Sequence, residues 1–211
     1  MLHRGTPSAK AISTASSSSG KTRAAQKATP ASRVSPETAR RIMVALMFPS
    51  LLMPLASSMS RVALPVIRDQ LRISADTTAW VAAAFTLPFM ILMPVYGRLS
   101  DGVGKRRLIL AGIVIFTIGT AITVFAAGLG WLMAGRAIQG IGAAGMMPLG
   151  MAFISAIFNP GERGRALGTW SSVGPTTAFV GPLLAGFLIA AWGWRAAFVP
   201  PLLMGIIAFI V

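Results

Sequence analysis

The sequence predicts an all-α protein that crosses a membrane several times, and three observations carry that prediction. The chain is 55% hydrophobic and only 11% charged over 211 residues, whereas a soluble domain carries about 25% charged residues. After residue 41, apolar runs of about 16 to 27 residues alternate with short gaps that hold nearly all the charges. The runs are continuously apolar, without two-residue alternation. They therefore read as helices rather than barrel strands, and only those two structures satisfy every backbone polar group in a bilayer.

Residues 1–41 are rich in Ser, Ala, Thr and basic side chains, with Glu37 the only acid. Such a segment cannot bury enough apolar surface to fold alone, and it reads as a disordered, basic cytoplasmic tail. An organelle transit peptide shares the composition. A secretory signal does not, because no apolar stretch precedes residue 42.

Residues 42–211 form the predicted six-helix bundle, with spans at about 42–64, 79–97, 108–127, 131–157, 167–191 and 196–211. At about 1.5 Å rise per residue, each of the first five crosses a hydrocarbon core of about 30 Å. The sixth offers 16 residues, or about 24 Å, and has no polar or basic end. It reads as a helix cut short, and the chain as a fragment. Pro49, Pro54, Pro88, Pro94, Pro148, Pro175, Pro182, Pro200 and Pro201 interrupt the spans. Interior prolines remove a backbone hydrogen bond and bend a helix, which predicts bent helices able to rock.

The net charge of +14 invites a nucleic-acid reading, but its placement argues against one. Eight of the 19 Lys and Arg residues lie in the first 41 positions. Most others fall in two gaps, one holding Arg98, Lys105, Arg106 and Arg107 and one holding Arg163 and Arg165. Cytoplasmic segments collect Lys and Arg, so these gaps and the amino terminus are placed inside. Arg68 and Arg72, balanced by Asp69 and Asp76, fall outside with Arg195. The chain has no Cys and its one His is His3. Thiol chemistry is excluded, and no metal site or cofactor is expected in the spans.

Three stretches carry mechanism. Between the second and third spans lies Gly97-Arg98-Leu99-Ser100-Asp101-Gly102-Val103-Gly104-Lys105-Arg106-Arg107. It reads as a tight turn, with glycines at both ends free to adopt φ > 0 and Asp101 favoured by the dipole of the third helix. By itself it is also a positively charged inside loop. The fourth span contains Arg136 and Gln139, which share one helix face at three-residue spacing, and Gly140 with Ala144, a close-approach spacing. A buried Arg is costly in a membrane and should face the bundle interior beside an acceptor; the alternative is snorkelling to the outer surface. The fifth span contains Gly174-Pro175 and Gly181-Pro182-Leu183-Leu184-Ala185-Gly186. Alone, this is a kinked helix–helix contact.

The first stretch resembles the loop signature of the major facilitator superfamily at Gly97, Leu99, Asp101, Gly104, Lys105 and Arg106, and departs from it at Gly102, where that family carries Arg or Lys. The second is similar to the family's fourth-helix signature. The third is similar to its antiporter signature at Gly181, Pro182 and Gly186, with Thr177 and Ala185 in place of two glycines. Trp192-Gly193-Trp194-Arg195 looks like its outer loop into the sixth helix. The first span resembles that of the drug:proton antiporters with fourteen predicted spans, but has Ala56 where they have aspartate and Arg61 where they have asparagine.

The resemblance implies the amino-terminal half of the major facilitator fold, built as two inverted three-helix repeats. It implies that Gly97, Asp101, Gly104, Lys105 and Arg106 form a conformational latch and that Arg136, with Gln139, takes part in proton coupling or lines the cavity. Gly140, Gly181, Pro182 and Gly186 would set helix bends and packing. The partners implied are a small-molecule substrate, protons, the lipid bilayer, and a carboxyl-terminal half or another helical bundle, but no nucleic acid. The function implied is efflux of drug-like molecules by proton antiport, in the plasma membrane (the inner membrane if bacterial). Alternatives are a truncated non-transporting fragment and a facilitator of another substrate class not coupled through the first span. An intramembrane enzyme would need a nucleophile with a base, paired acids or a metal cluster within the spans, and none is present in the sequence.

Overall fold

Residues 36–158 and 160–210 are described by the computed structural model. Among them, every regular element is helical and none is a strand. Helix α1 (Pro36–Leu71) starts before the expected boundary at 42 and continues through Pro65 past the expected end at 64. The remainder of the expected tail, residues 1–35, lies outside the described residues. Arg72, at φ 51°, stops α1, and the amide of Ile73 donates to the carbonyl of Arg68 at 3.1 Å. This is the bond pattern of a Schellman stop, here closed by an arginine rather than a glycine.

Ser74 then caps α2 (Ala75–Val103), its hydroxyl oxygen accepting the amide of Thr77 at 3.2 Å. That satisfies one of the free donors of a helix start. Helix α3 (Lys105–Val124) follows after one residue. Helices α4 (Leu129–Ala143) and α5 (Met146–Ile157) make one span. They meet at Ala144 and Gly145, which keep α-region dihedrals. Helices α6 (Pro160–Ser171) and α7 (Val173–Trp192) likewise make one span through Ser172. A short 3-10 helix (Trp194–Phe198) leads into α8 (Val199–Ile210).

Five of these spans are long and apolar enough to cross a membrane, and the stretch Trp194–Ile210 is shorter. The gap expected around Arg163 and Arg165 is instead helical, because α6 begins at Pro160 and carries Glu162 in its first turn. Both features suit a helix start. Pro148, Pro175, Pro200 and Pro201 sit in the first turns of α5, α7 and α8 rather than inside them. Only Pro49, Pro54, Pro65, Pro88, Pro94 and Pro182 are helix-interior among the described residues.

Side chains pack into two apolar clusters. One gathers Leu52, Ala56, Phe85, Phe116, Ala143, Leu149 and Trp170. The other gathers Met59, Ile67, Val81, Leu132, Trp194 and Phe198. Along the fourth span, Arg136 and Gln139 fall between Leu132 of one cluster and Ala143 of the other, so a polar step separates two apolar layers. Trp192 is exposed, in keeping with an interfacial anchor, but Trp194 is buried edge-to-face against Phe198. Arg195 ties this corner to the end of α3, donating from Nη2 to the carbonyl of Ala126 at 2.7 Å.

Candidate functional site

Helices α3 and α4 approach closely because glycines line their contact. A Cβ on Gly119 would lie 2.5 Å from the backbone nitrogen of Gln139. One on Gly142 would lie 2.3 Å from that of Phe116, and one on Gly135 2.5 Å from Oγ1 of Thr123. On the other side of α4, a Cβ on Gly140 would lie 2.2 Å from the carbonyl oxygen of Phe85 on α2. Small residues let membrane helices touch backbone to backbone, where van der Waals packing replaces the missing hydrophobic drive.

This approach assembles a polar network. The side chain of Arg136 is only 4% exposed and that of Gln139 fully buried. Arg136 donates from Nη1 to Oε1 of Gln139 at 2.9 Å. Gln139 donates from Nε2 to Oγ1 of Thr120 on α3 at 2.8 Å. Thr120 spends its own proton on the carbonyl of Phe116 at 2.7 Å, which leaves its lone pairs to accept from Gln139. The Phe85 ring covers the guanidinium face, its centroid 4.6 Å from Cζ. That geometry is cation–π. Arg136 thus faces the interior beside an acceptor rather than snorkelling outward.

Sequence reading found Arg136, Gln139 and Gly140 but missed Phe85, Gly119 and Thr120. A usable signal was present: Gly112 with Gly119, and Gly135 with Gly142, repeat at matching separations on consecutive antiparallel spans. A Cβ on Gly112 would meet the carbonyl of Gly142 at 2.7 Å.

The stretch between α2 and α3 differs from its expectation. Only Gly104 has positive φ, at +94°. Gly97 is helical and exposed, with open space where a Cβ would stand. Asp101 lies in the last turn of α2 instead of in a loop, because the helix continues to Val103. Among the described residues, the side chains of Asp101, Lys105 and Arg106 make no hydrogen bond or ion pair, and Asp101 and Arg106 are exposed.

In the fifth span, a Cβ on Gly181 would lie 2.0 Å from Oγ of Ser58, so α7 packs on α1 there, with Ala185 buried one turn on. Pro182 is inside α7. Gly186 is exposed, with nothing within 4 Å of an added Cβ. The packing role expected of Gly186 therefore has no counterpart among the described residues. Ala56 is fully buried. Arg61 and the acids Glu37, Asp69, Asp76, Asp101 and Glu162 are exposed. No cluster of three or more His, Cys, Asp or Glu side chains able to hold a metal occurs among the described residues.

The sequence profile of the Major Facilitator Superfamily matches residues 46–211. The chain belongs to the Major Facilitator Superfamily. It is 36% identical over 166 residues to an uncharacterised MFS-type transporter of Mycobacterium tuberculosis, covering 79% of this chain and 29% of that protein. It is 34% identical over 145 residues to the multidrug resistance protein Stp of the same species, covering 68% of this chain and 27% of Stp. The chain thus spans under a third of the length of these relatives. Among solved structures, it is similar to a bacterial homologue of the human lysosomal transporter Spinster in an inward-facing, occupied conformation. That likeness has a TM-score of 0.67 at 21% identity, over 81% of this chain and 43% of the other, and it bears on the fold alone. Superfamily transporters are multi-pass membrane proteins that handle small molecules, which matches the apolar spans described above.

Proposed function

We propose that this chain supplies the amino-terminal bundle of a secondary transporter that exports drug-like molecules by proton antiport, acts in the plasma membrane with its amino terminus inside, and catalyses no covalent reaction. The observation that carries the reading is the buried Arg136–Gln139–Thr120 network between two apolar layers. A buried cation in a bundle interior is expensive and marks a transport pathway more often than a structural contact. The relatives named for multidrug resistance supply the cargo class.

In this reading Arg136 and Gln139 line the path. Asp101 and the cations after Gly104 form the latch, whose contacts are completed by a carboxyl-terminal half or another bundle. Ala56 removes the first span as a source of a coupling carboxylate, so the proton-binding acid comes from elsewhere in the working transporter. Everted membrane vesicles carrying the full-length protein test the proposal. Ethidium uptake should require a proton gradient and collapse on adding an uncoupler, and gradient-independent flux would reject antiport.

A further inference from the structure

The guanidinium of Arg136 is only partly used. Its hydrogen bond leaves from Nη1. Nε is buried and without a partner, and no hydrogen bond leaves Nη2. Nε and Nη2 form the side edge of a guanidinium, two parallel N–H donors at the spacing of a carboxylate's oxygens. One edge is therefore held by a neutral amide, one face is covered by Phe85, and the two donors of the side edge are left unpaired.

No carboxylate of this chain answers it. The five acids are Glu37, Asp69, Asp76, Asp101 and Glu162. All are exposed near helix ends, while Arg136 is 4% exposed. Gln139 and Thr120 relieve part of the guanidinium's desolvation, but neither carries charge. A buried cation without an anion is the costly half of an ion pair. A site kept in that condition is matched to an anion that arrives from outside this chain.

We infer that the unpaired edge of Arg136 receives the carboxylate of an amphipathic organic anion, and that such anions are the preferred cargo. The Phe85 ring over the guanidinium face stacks in turn on Phe89 with centroids 6.0 Å apart, an aromatic surface suited to the apolar part of the same molecule. The bearing on cargo rests on the export function proposed above. An acidic side chain from polypeptide beyond this chain has the same chemistry, and the experiment separates the two sources.

The full-length protein in lipid nanodiscs is titrated calorimetrically with 1-naphthaleneacetate, 1-naphthaleneacetamide and 1-naphthylmethylammonium, which share one ring system and differ in charge. The acetate should bind about tenfold tighter than the amide, the difference of one charge-assisted pairing, and the ammonium weakest. Arg136→Gln should bring the acetate-to-amide affinity ratio down to about one. Arg136→Lys keeps the charge but loses the two-donor edge, so it should reduce the acetate-to-amide ratio severalfold; this arm stands even where the Gln variant fails to fold. Equal or tighter binding of the amide or ammonium overturns the inference, and is the outcome if an acid of the protein already occupies Arg136. An acetate preference unchanged in the Lys variant overturns it as well. Gradient-driven ethidium export without acetate preference sinks the anion site and keeps export, whereas acetate preference without gradient-driven flux does the reverse.

Discussion

Arg136 and the α2–α3 junction both carry positive charge, and their surroundings could hardly differ more. At Arg136 a single cation is enclosed by α2, α3 and α4, with an aromatic face over it and a fixed amide beside it. At the α2–α3 junction Lys105, Arg106 and Arg107 open a helix, and Asp101 sits in the last turn of the one before. Helix dipoles favour acids at the start and bases at the end, so this junction places its charges the opposite way at both ends. It tolerates that because surface charge is screened and hydrated. The first region spends packing precision to hold a charge, while the second needs only water and lipid headgroups. Stability should therefore reside in the contacts around Arg136 and be nearly indifferent to charge at the junction.

That contrast breaks most directly at Gly119. Gly119→Leu places side-chain carbon against the backbone of Gln139 and should cost about 3 kcal/mol or more, since backbone cannot step aside. Thermal unfolding followed by size-exclusion chromatography in detergent reads this; an unshifted midpoint would refute the close-packed α3–α4 contact. Thr120→Val comes next. It keeps the shape but strands the buried Nε2 of Gln139, a loss of about 1–3 kcal/mol, and Thr120→Ser should restore most of it in the same assay.

Gly104→Ala tests backbone rather than charge at the junction. A side chain at φ +94° is strained whatever the space, at about 1–3 kcal/mol, and placed at an exposed turn the effect should fall at the low end. The smallest effect is expected for Lys105→Gln or Asp101→Asn, within about 0.5 kcal/mol on stability. Under the proposed latch role, Asp101→Asn should nonetheless slow ethidium export. A large fall in its unfolding midpoint would instead make Asp101 a structural residue.

Much of the fold is legible in the order of residues, because a bilayer requires long apolar helices and leaves few alternatives. The spans, Arg136 with Gln139, and Gly140 all follow from hydropathy and helical spacing. Helix ends do not. Pro65 and the charges after it read as a stop, yet α1 runs on to Leu71. Gly97 reads as a turn, yet α2 runs through it to Val103. A proline or glycine alters a local preference by a few kcal/mol at most, which neighbouring helices can outweigh.

What the sequence determined alone is composition and periodicity: how many apolar spans there are, which of them carry charge, and that no carboxylate can lie in the middle of one. What only the tertiary structure decided is pairing across helices. Nothing local to Thr120 or Phe85 marks either as a partner of Arg136. They become its partners because the glycines of α3 and α4, and Gly140 against α2, bring three backbones within reach of one another. Contact between residues distant in the chain depends on how faces meet, and that is a property of packing rather than of any one segment.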